Sequence, residues 1–135
     1  MILQEVKEIY RNSDKEKLGE RLNDLIDEFR GNRDRKEVLN LLNTNETDYI
    51  YTALLILNEI TIRNKKLLHS VILYLENLVD HPEANIRMLN LIVLSDLLKN
   101  IDKEKEQDLF LKMMQDPDKD IRETALQLLE TGKLV

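Results

Sequence analysis

The chain has 135 residues, enough for one domain able to bury roughly two-thirds of its unfolded surface. It has no cysteine, which excludes disulfide frameworks and cysteine-containing zinc sites and fits a reducing compartment. Its 34% charged and 42% apolar residues suit a folded chain, and three glycines and two prolines leave little material for hairpins.

The predicted elements are all helical. Ile2, Val6, Ile9 and Tyr10 recur at helical spacing and predict a helix over 2–11. Ser13 reads as the N-cap of the next helix, with Glu16 completing a capping box. That helix runs to Phe29 through Leu18, Leu22, Leu25 and Ile26, and Gly31 and Asn32 end it. A third helix covers 33–43 through Val38, Leu39, Leu41 and Leu42. Thr47 or Asp48 caps a fourth, over 48–62. The fifth spans 64–79, before the Asp80-His81-Pro82 break. The sixth covers 83–99. Asp102 caps a seventh over 103–115, and the eighth, over 119–131, follows Asp116-Pro117 and stops at Gly132. No strand pattern competes.

No stretch approaches the roughly 18–20 apolar residues of a membrane span. Glu5, Lys7 and Glu8 interrupt the apolar residues that an N-terminal signal peptide needs. A cytoplasmic protein is expected. The net charge of −6 opposes non-specific nucleic-acid binding and favours a basic partner. The excess of acid over base is largest over 101–135, nine against six.

Two segments repeat. Asp80-His-Pro-Glu-Ala-Asn-Ile-Arg87 precedes MLNLIVLSDLL, and Asp116-Pro-Asp-Lys-Asp-Ile-Arg122 precedes ETALQLLE. Pro82 and Pro117, Ile86 and Ile121, and Arg87 and Arg122 are each 35 residues apart. A weaker copy places Ala53, Leu54 and Leu57 37 residues before Asn90, Leu91 and Leu94. A fixed period of this size marks stacked helix pairs, each leaving an apolar face for its neighbour to cover.

These residues resemble the HEAT-repeat family, over roughly 33–131. The resemblance implies a right-handed α-α superhelix, a HEAT-like solenoid of about eight helices in four antiparallel pairs. Residues 1–32 would be a degenerate N-terminal pair or cap of a single domain over 1–135. In that family an aspartate and an arginine form a ladder between neighbouring repeats. The resemblance gives that role to Asp80, Arg87, Asp116 and Arg122, with one extra residue in the Asp80 copy. The first copy departs from the pattern, with Ile50 where arginine is expected. Asn90 stands where alanine is usual, and a buried asparagine must find hydrogen-bond partners.

No catalytic constellation appears, and no enzyme, metal site or cofactor is expected. His69 and His81 have no metal-ligand spacing, and Ser13, Ser70 and Ser95 have no nucleophile motif. No phosphate-cradling glycine loop is present. Glu16, Glu20, Asp24, Asp27 and Glu28 make an acidic stripe on the second helix, read either as a solvated face or as a dock for a basic partner. Arg30, Arg33, Arg35 and Lys36 form a basic turn without the aromatic residues that stack bases.

On each pair's second helix some positions are expected to face away from the repeat core. In the fourth helix these are Tyr51, Leu55 and Asn58, with Glu59 beside them. In the sixth they are Met88, Ile92, Ser95 and Asp96, and in the eighth Glu123, Gln127 and Glu130. The wall so formed is apolar in its middle and acidic at its C-terminal end, as a protein-binding groove would be. The opposing reading has Tyr51, Leu55, Met88 and Ile92 packed against neighbouring helices. The leading function is a non-enzymatic protein-binding module, as a monomer or homodimer. The alternatives are a small acidic inhibitor or immunity protein neutralising a basic toxin or nuclease, and a HEAT-like nucleic-acid-binding protein.

Overall fold

A computed structural model describes residues 1–133. Among them are eight α-helices, one 3₁₀ turn and no strand, as the sequence predicts. The helices are α1 (Ile2–Asn12), α2 (Lys15–Arg30), α3 (Glu37–Leu42), α4 (Thr47–Glu59), α5 (Lys65–Asn77), α6 (Ala84–Leu98), α7 (Lys103–Met113) and α8 (Lys119–Lys133), with the 3₁₀ turn at Leu78–Asp80. The chain divides into two compact units, Met1–Tyr74 and Leu75–Val135.

In the first unit α1 packs on α2, α3 and α4, and α4 packs on α2 and α3. The shared core holds Val6, Leu25, Phe29, Val38, Leu41, Ala53, Leu54 and Ile56. Burying each large apolar side chain is worth about 1.5–3 kcal/mol, which is how short helices of marginal intrinsic stability are held. A polar contact ties α1 to α4. The Tyr10 hydroxyl pairs with Thr52 Oγ1 at 2.9 Å, and Thr52 Oγ1 donates to the Asp48 carbonyl at 2.7 Å. The partial burial of Tyr10 raises its pKa.

The second tie is Arg33, in the turn between α2 and α3. Its guanidinium meets the carboxylates of Glu5, Glu28 and Glu37 and lies 5.2 Å from the centre of the Phe29 ring. One side chain thereby joins α1, α2 and α3.

In the second unit α6 packs on the 3₁₀ turn, α7 and α8, and α7 packs on α8. Ile86, Leu91, Val93, Leu94 and Leu98 are all buried. They point to several sides of α6, the pattern of a helix covered on more than one face. Phe110, Met113, Ile121 and Ala125 complete this core.

Several boundaries differ from the sequence-based ones. Asp14, not Ser13, caps α2: its Oδ1 accepts the Lys17 N–H at 2.9 Å, while the Ser13 hydroxyl is buried without a partner. The third helix starts at Glu37, because Asp34 Oδ1 takes the Lys36 N–H at 2.9 Å and holds the preceding residues in a turn. Glu46, rather than Thr47 or Asp48, occupies the N-cap of α4. That helix stops at Glu59, and Ile60 to Asn64 run non-helically with Ile62 buried. Gly132 lies inside α8 and does not end it. The Asp102 cap is present, its Oδ1 accepting the Lys105 N–H at 3.0 Å.

Candidate functional site

The two turns that precede α6 and α8 are built alike. Arg87 Nη1 donates to the carbonyls of His81 and Pro82 at 2.8 and 3.1 Å. Arg122 Nη1 donates to those of Asp116 and Pro117 at 2.8 and 2.9 Å. In both, an arginine in the second helix's first turns anchors the loop that leads into it. The side chain opening each turn then accepts the backbone N–H two residues on: His81 Nδ1 from Glu83 at 3.0 Å, Asp116 Oδ1 from Asp118 at 2.8 Å.

His81 therefore stands where Asp116 stands, and the two turns align without a gap. This corrects the register that put Asp80 in the ladder. Asp80 is 78% exposed and meets Lys112 at 3.1 Å. The rung that does form runs from Arg87 to Asp116, with Nε to Oδ2 at 2.9 Å and Nη2 to Oδ1 at 3.1 Å. The fork geometry of guanidinium matches the carboxylate edge to edge. Burial pushes the Asp116 carboxyl up. The bonds from Arg87 and the Asp118 N–H, with the charges of Arg87 and Arg122, outweigh it and hold the pKa below the ordinary carboxylate range.

Asn90 is 1% exposed. Its Nδ2 donates to the Leu75 carbonyl at 2.9 Å, whereas its Oδ1 has no partner. The residue that replaces the usual alanine thus ties α6 to the end of α5.

The wall residues divide by helix. On α4, Tyr51, Asn58 and Glu59 are exposed and Leu55 is half-buried. Glu59 accepts from Arg30 at 2.9 Å. On α6, Ile92 and Asp96 are exposed and Met88 is half-buried. Ser95 is buried, its hydroxyl donating to the Ile92 carbonyl at 3.0 Å, so it offers nothing to a partner. On α8, Glu123, Gln127 and Glu130 are all exposed. Tyr51 and Ile92 are 36% and 39% exposed, large apolar side chains only partly covered.

The basic turn does not hold together as one patch. Arg33 is spent on three carboxylates, while Arg30 and Arg35 line an open depression with Glu59, Ile60, Thr61, Arg63 and Asn64. Arg35 Nε is anchored on the Thr61 carbonyl at 3.0 Å. Arg63 was not among the sequence candidates, because the fourth helix was expected to run through Ile62. The acidic residues of α2 are exposed; Asp27 pairs with Arg30 at 2.5 Å and Glu28 with Arg33 at 3.6 Å. His69 is exposed. Among the described residues no group of three or more His, Asp or Glu is placed to hold a metal ion, and no helix is long and apolar enough to cross a membrane.

The family model of the Integrator complex subunit 1 R4 domain matches residues 37–134. The chain belongs to this R4-domain family. The match begins at Glu37, the first residue of α3, and takes in both related turns, the Arg87–Asp116 rung and all eleven wall residues. The R4 domain is a helical-repeat domain, and the repeats read from the sequence fall within it. Neither the curated proteins nor the solved structures gave a match to the chain.

Proposed function

We propose that this R4-family chain is a non-enzymatic protein-interaction module, and that it binds a partner through outward helical stripes, that of α4 in the first unit and those of α6 and α8 in the second. The carrying observation is the partial exposure of Tyr51 and Ile92, on helices whose other large apolar residues are nearly all turned inward. Each stripe follows helical spacing: Tyr51, Leu55 and Asn58; Met88, Ile92 and Asp96; Glu123, Gln127 and Glu130. Tyr and Met are enriched at interface centres, and partly exposed apolar residues flanked by carboxylates suit a partner that brings both an apolar anchor and basic side chains. Membership in the family of a domain of a complex subunit supports the same reading.

The net charge of −6 favours a basic partner, as in the reading of the chain as a small inhibitor of a basic protein. The nucleic-acid reading draws less support, since Arg30 and Arg33 are engaged by carboxylates.

The test is affinity capture from the source organism with the wild type and a Tyr51→Ala, Met88→Glu, Ile92→Glu variant of unchanged circular dichroism. The partner found is then purified and titrated calorimetrically. Binding weakened at least about tenfold in the variant is expected, since a lost hot spot costs about 2 kcal/mol. Equal binding by both proteins would remove the stripes as the site.

A further inference from the structure

The open depression of the first unit gathers arginines from three parts of the chain. It measures about 510 Å³, and Arg30, Arg35, Arg63, Glu59 and Asn64 are among its lining residues. Local structure explains the convergence. Ile60 is extended, and Ile62 is buried from the non-helical run that follows α4. Side chains alternate along an extended run, so burial of Ile62 turns Thr61 and Arg63 outward, and both are exposed. Asn64 accepts the Leu67 N–H on Oδ1 at 3.0 Å, which starts α5 directly after Arg63. Arg35 donates through Nε to the Thr61 carbonyl at 3.0 Å, which ties its guanidinium to the same run.

The three arginines are engaged to different degrees. Arg30 gives Nη1 to Asp27 and Nη2 to Glu59. Among the described residues the two Nη groups of Arg35 have no partner, and Arg63 has none at any nitrogen. Elsewhere in this chain one carboxylate fills one guanidinium edge, as Asp116 fills that of Arg87. Two unfilled guanidiniums in one depression call for a ligand with more charge and more acceptor atoms than a carboxylate has. A phosphate monoester carries up to two charges and three acceptor oxygens. No aromatic side chain lines the depression, so it offers no stack for a nucleic-acid base. The net charge of −6 opposes a long polyanion. A single small dianion answers instead to the nearby charges, to which Lys65 and Lys66, exposed in the first turn of α5, add.

We propose that this depression is a binding site for a phosphate monoester held by Arg35 and Arg63, and that Glu59, by occupying Arg30 and repelling the ligand, limits its affinity. The site shares no residue with the stripe of Tyr51, Leu55 and Asn58, so it stands or falls separately from the interaction surface proposed above.

The first probe is inorganic phosphate, added to the full chain against chloride of equal ionic strength and followed by nuclear magnetic resonance of backbone amides and arginine Nε–H groups. Saturable shifts at Arg35, Arg63 and Asn64 are expected, with a Kd on the order of 1 mM for about two charge-assisted contacts. Arg63→Gln should weaken binding about tenfold with the thermal midpoint unchanged, and Glu59→Gln should tighten it at least about twofold. O-phosphoserine should lose affinity below about pH 6, where its dianion takes up a proton. A phosphoserine peptide that binds more tightly than O-phosphoserine, both through Arg63, assigns the group to a partner protein; equal affinities assign it to a small phosphate ester. Absence of saturable shifts, equal binding by succinate, or an affinity unmoved by Arg63→Gln and by Arg35→Gln overturns the proposal. So does a single-stranded oligonucleotide that binds through Arg63 more tightly than the phosphopeptide, since the ligand would then be a nucleic acid.

Discussion

Arg87 and Asp116, 29 residues apart in sequence, meet edge to edge in a two-bonded ion pair whose side chains are only 13% and 4% exposed. The pair joins the first turns of α6 to the loop between α7 and α8. It also completes two turns at once, because Arg87 holds the His81 and Pro82 carbonyls and Asp116 holds the Asp118 N–H.

Breaking a mostly buried pair from one side leaves an uncompensated charge. Arg87→Met is expected to lower stability by about 3 kcal/mol in urea unfolding. Combined with Asp116→Asn it should cost less than the two singles added, with a coupling of about 1–3 kcal/mol. Strict additivity would mean that the two side chains do not interact in solution.

The acid limb of stability should carry the Asp116 signature. Its pKa is lowered in the folded state, so its contribution is fully present above the ordinary carboxylate pKa of about 4 and is lost as pH falls below it. Unfolding free energy measured from pH 5 to pH 2 should therefore fall less steeply in Asp116→Asn than in the wild type. The same slope in both would contradict the lowered pKa.

Arg33 offers a test of shape against charge. Arg33→Lys keeps the charge but loses the fork that reaches Glu5, Glu28 and Glu37 and the flat contact with Phe29. A loss of about 1–2 kcal/mol is expected, and about 2–3 kcal/mol for Arg33→Ala, from several charge-assisted bonds and one cation–π contact. Full rescue by lysine in thermal melts would show that charge alone matters there.

Asn90→Ala should destabilise by about 1–3 kcal/mol, since it strips the Leu75 carbonyl of a donor and leaves a gap. The orphaned Oδ1 works in the opposite sense. A variant at least as stable as the wild type in chemical denaturation would show that the unsatisfied oxygen dominates.

Much of the architecture was legible because periodicity and punctuation agree. Leu22, Leu25, Ile26 and Phe29 fall on one face of α2 at helical spacing, and all four are buried. Pro82 and Pro117 mark the related turns, and Asp102 caps α7 as expected. The misses lie where two adjacent residues could serve equally. Ser13 and Asp14 both qualify as caps, and only the folded backbone shows that the Lys17 N–H meets Asp14. Ile60 and Ile62 extend the apolar run of α4, yet Ile62 is buried from a non-helical segment, which a short apolar run does not reveal. Gly132 continues α8 because glycine permits a helix end without requiring one. Asp80 was the more attractive ladder residue by side-chain type, but the turn's hydrogen bonds select the position, and His81 holds it.

The sequence by itself determined that the chain is helical and that a 35-residue unit recurs, because these follow from local spacing and the chemistry of turns. The tertiary structure decided which charges are spent and which remain. Arg33, Arg87 and Arg122 look alike in the sequence. Packing gives Arg33 three carboxylates and Arg87 one, and among the described residues gives Arg122 none, because Glu5 and Asp116, 28 and 29 residues from their arginines, are brought within bonding distance only by the fold.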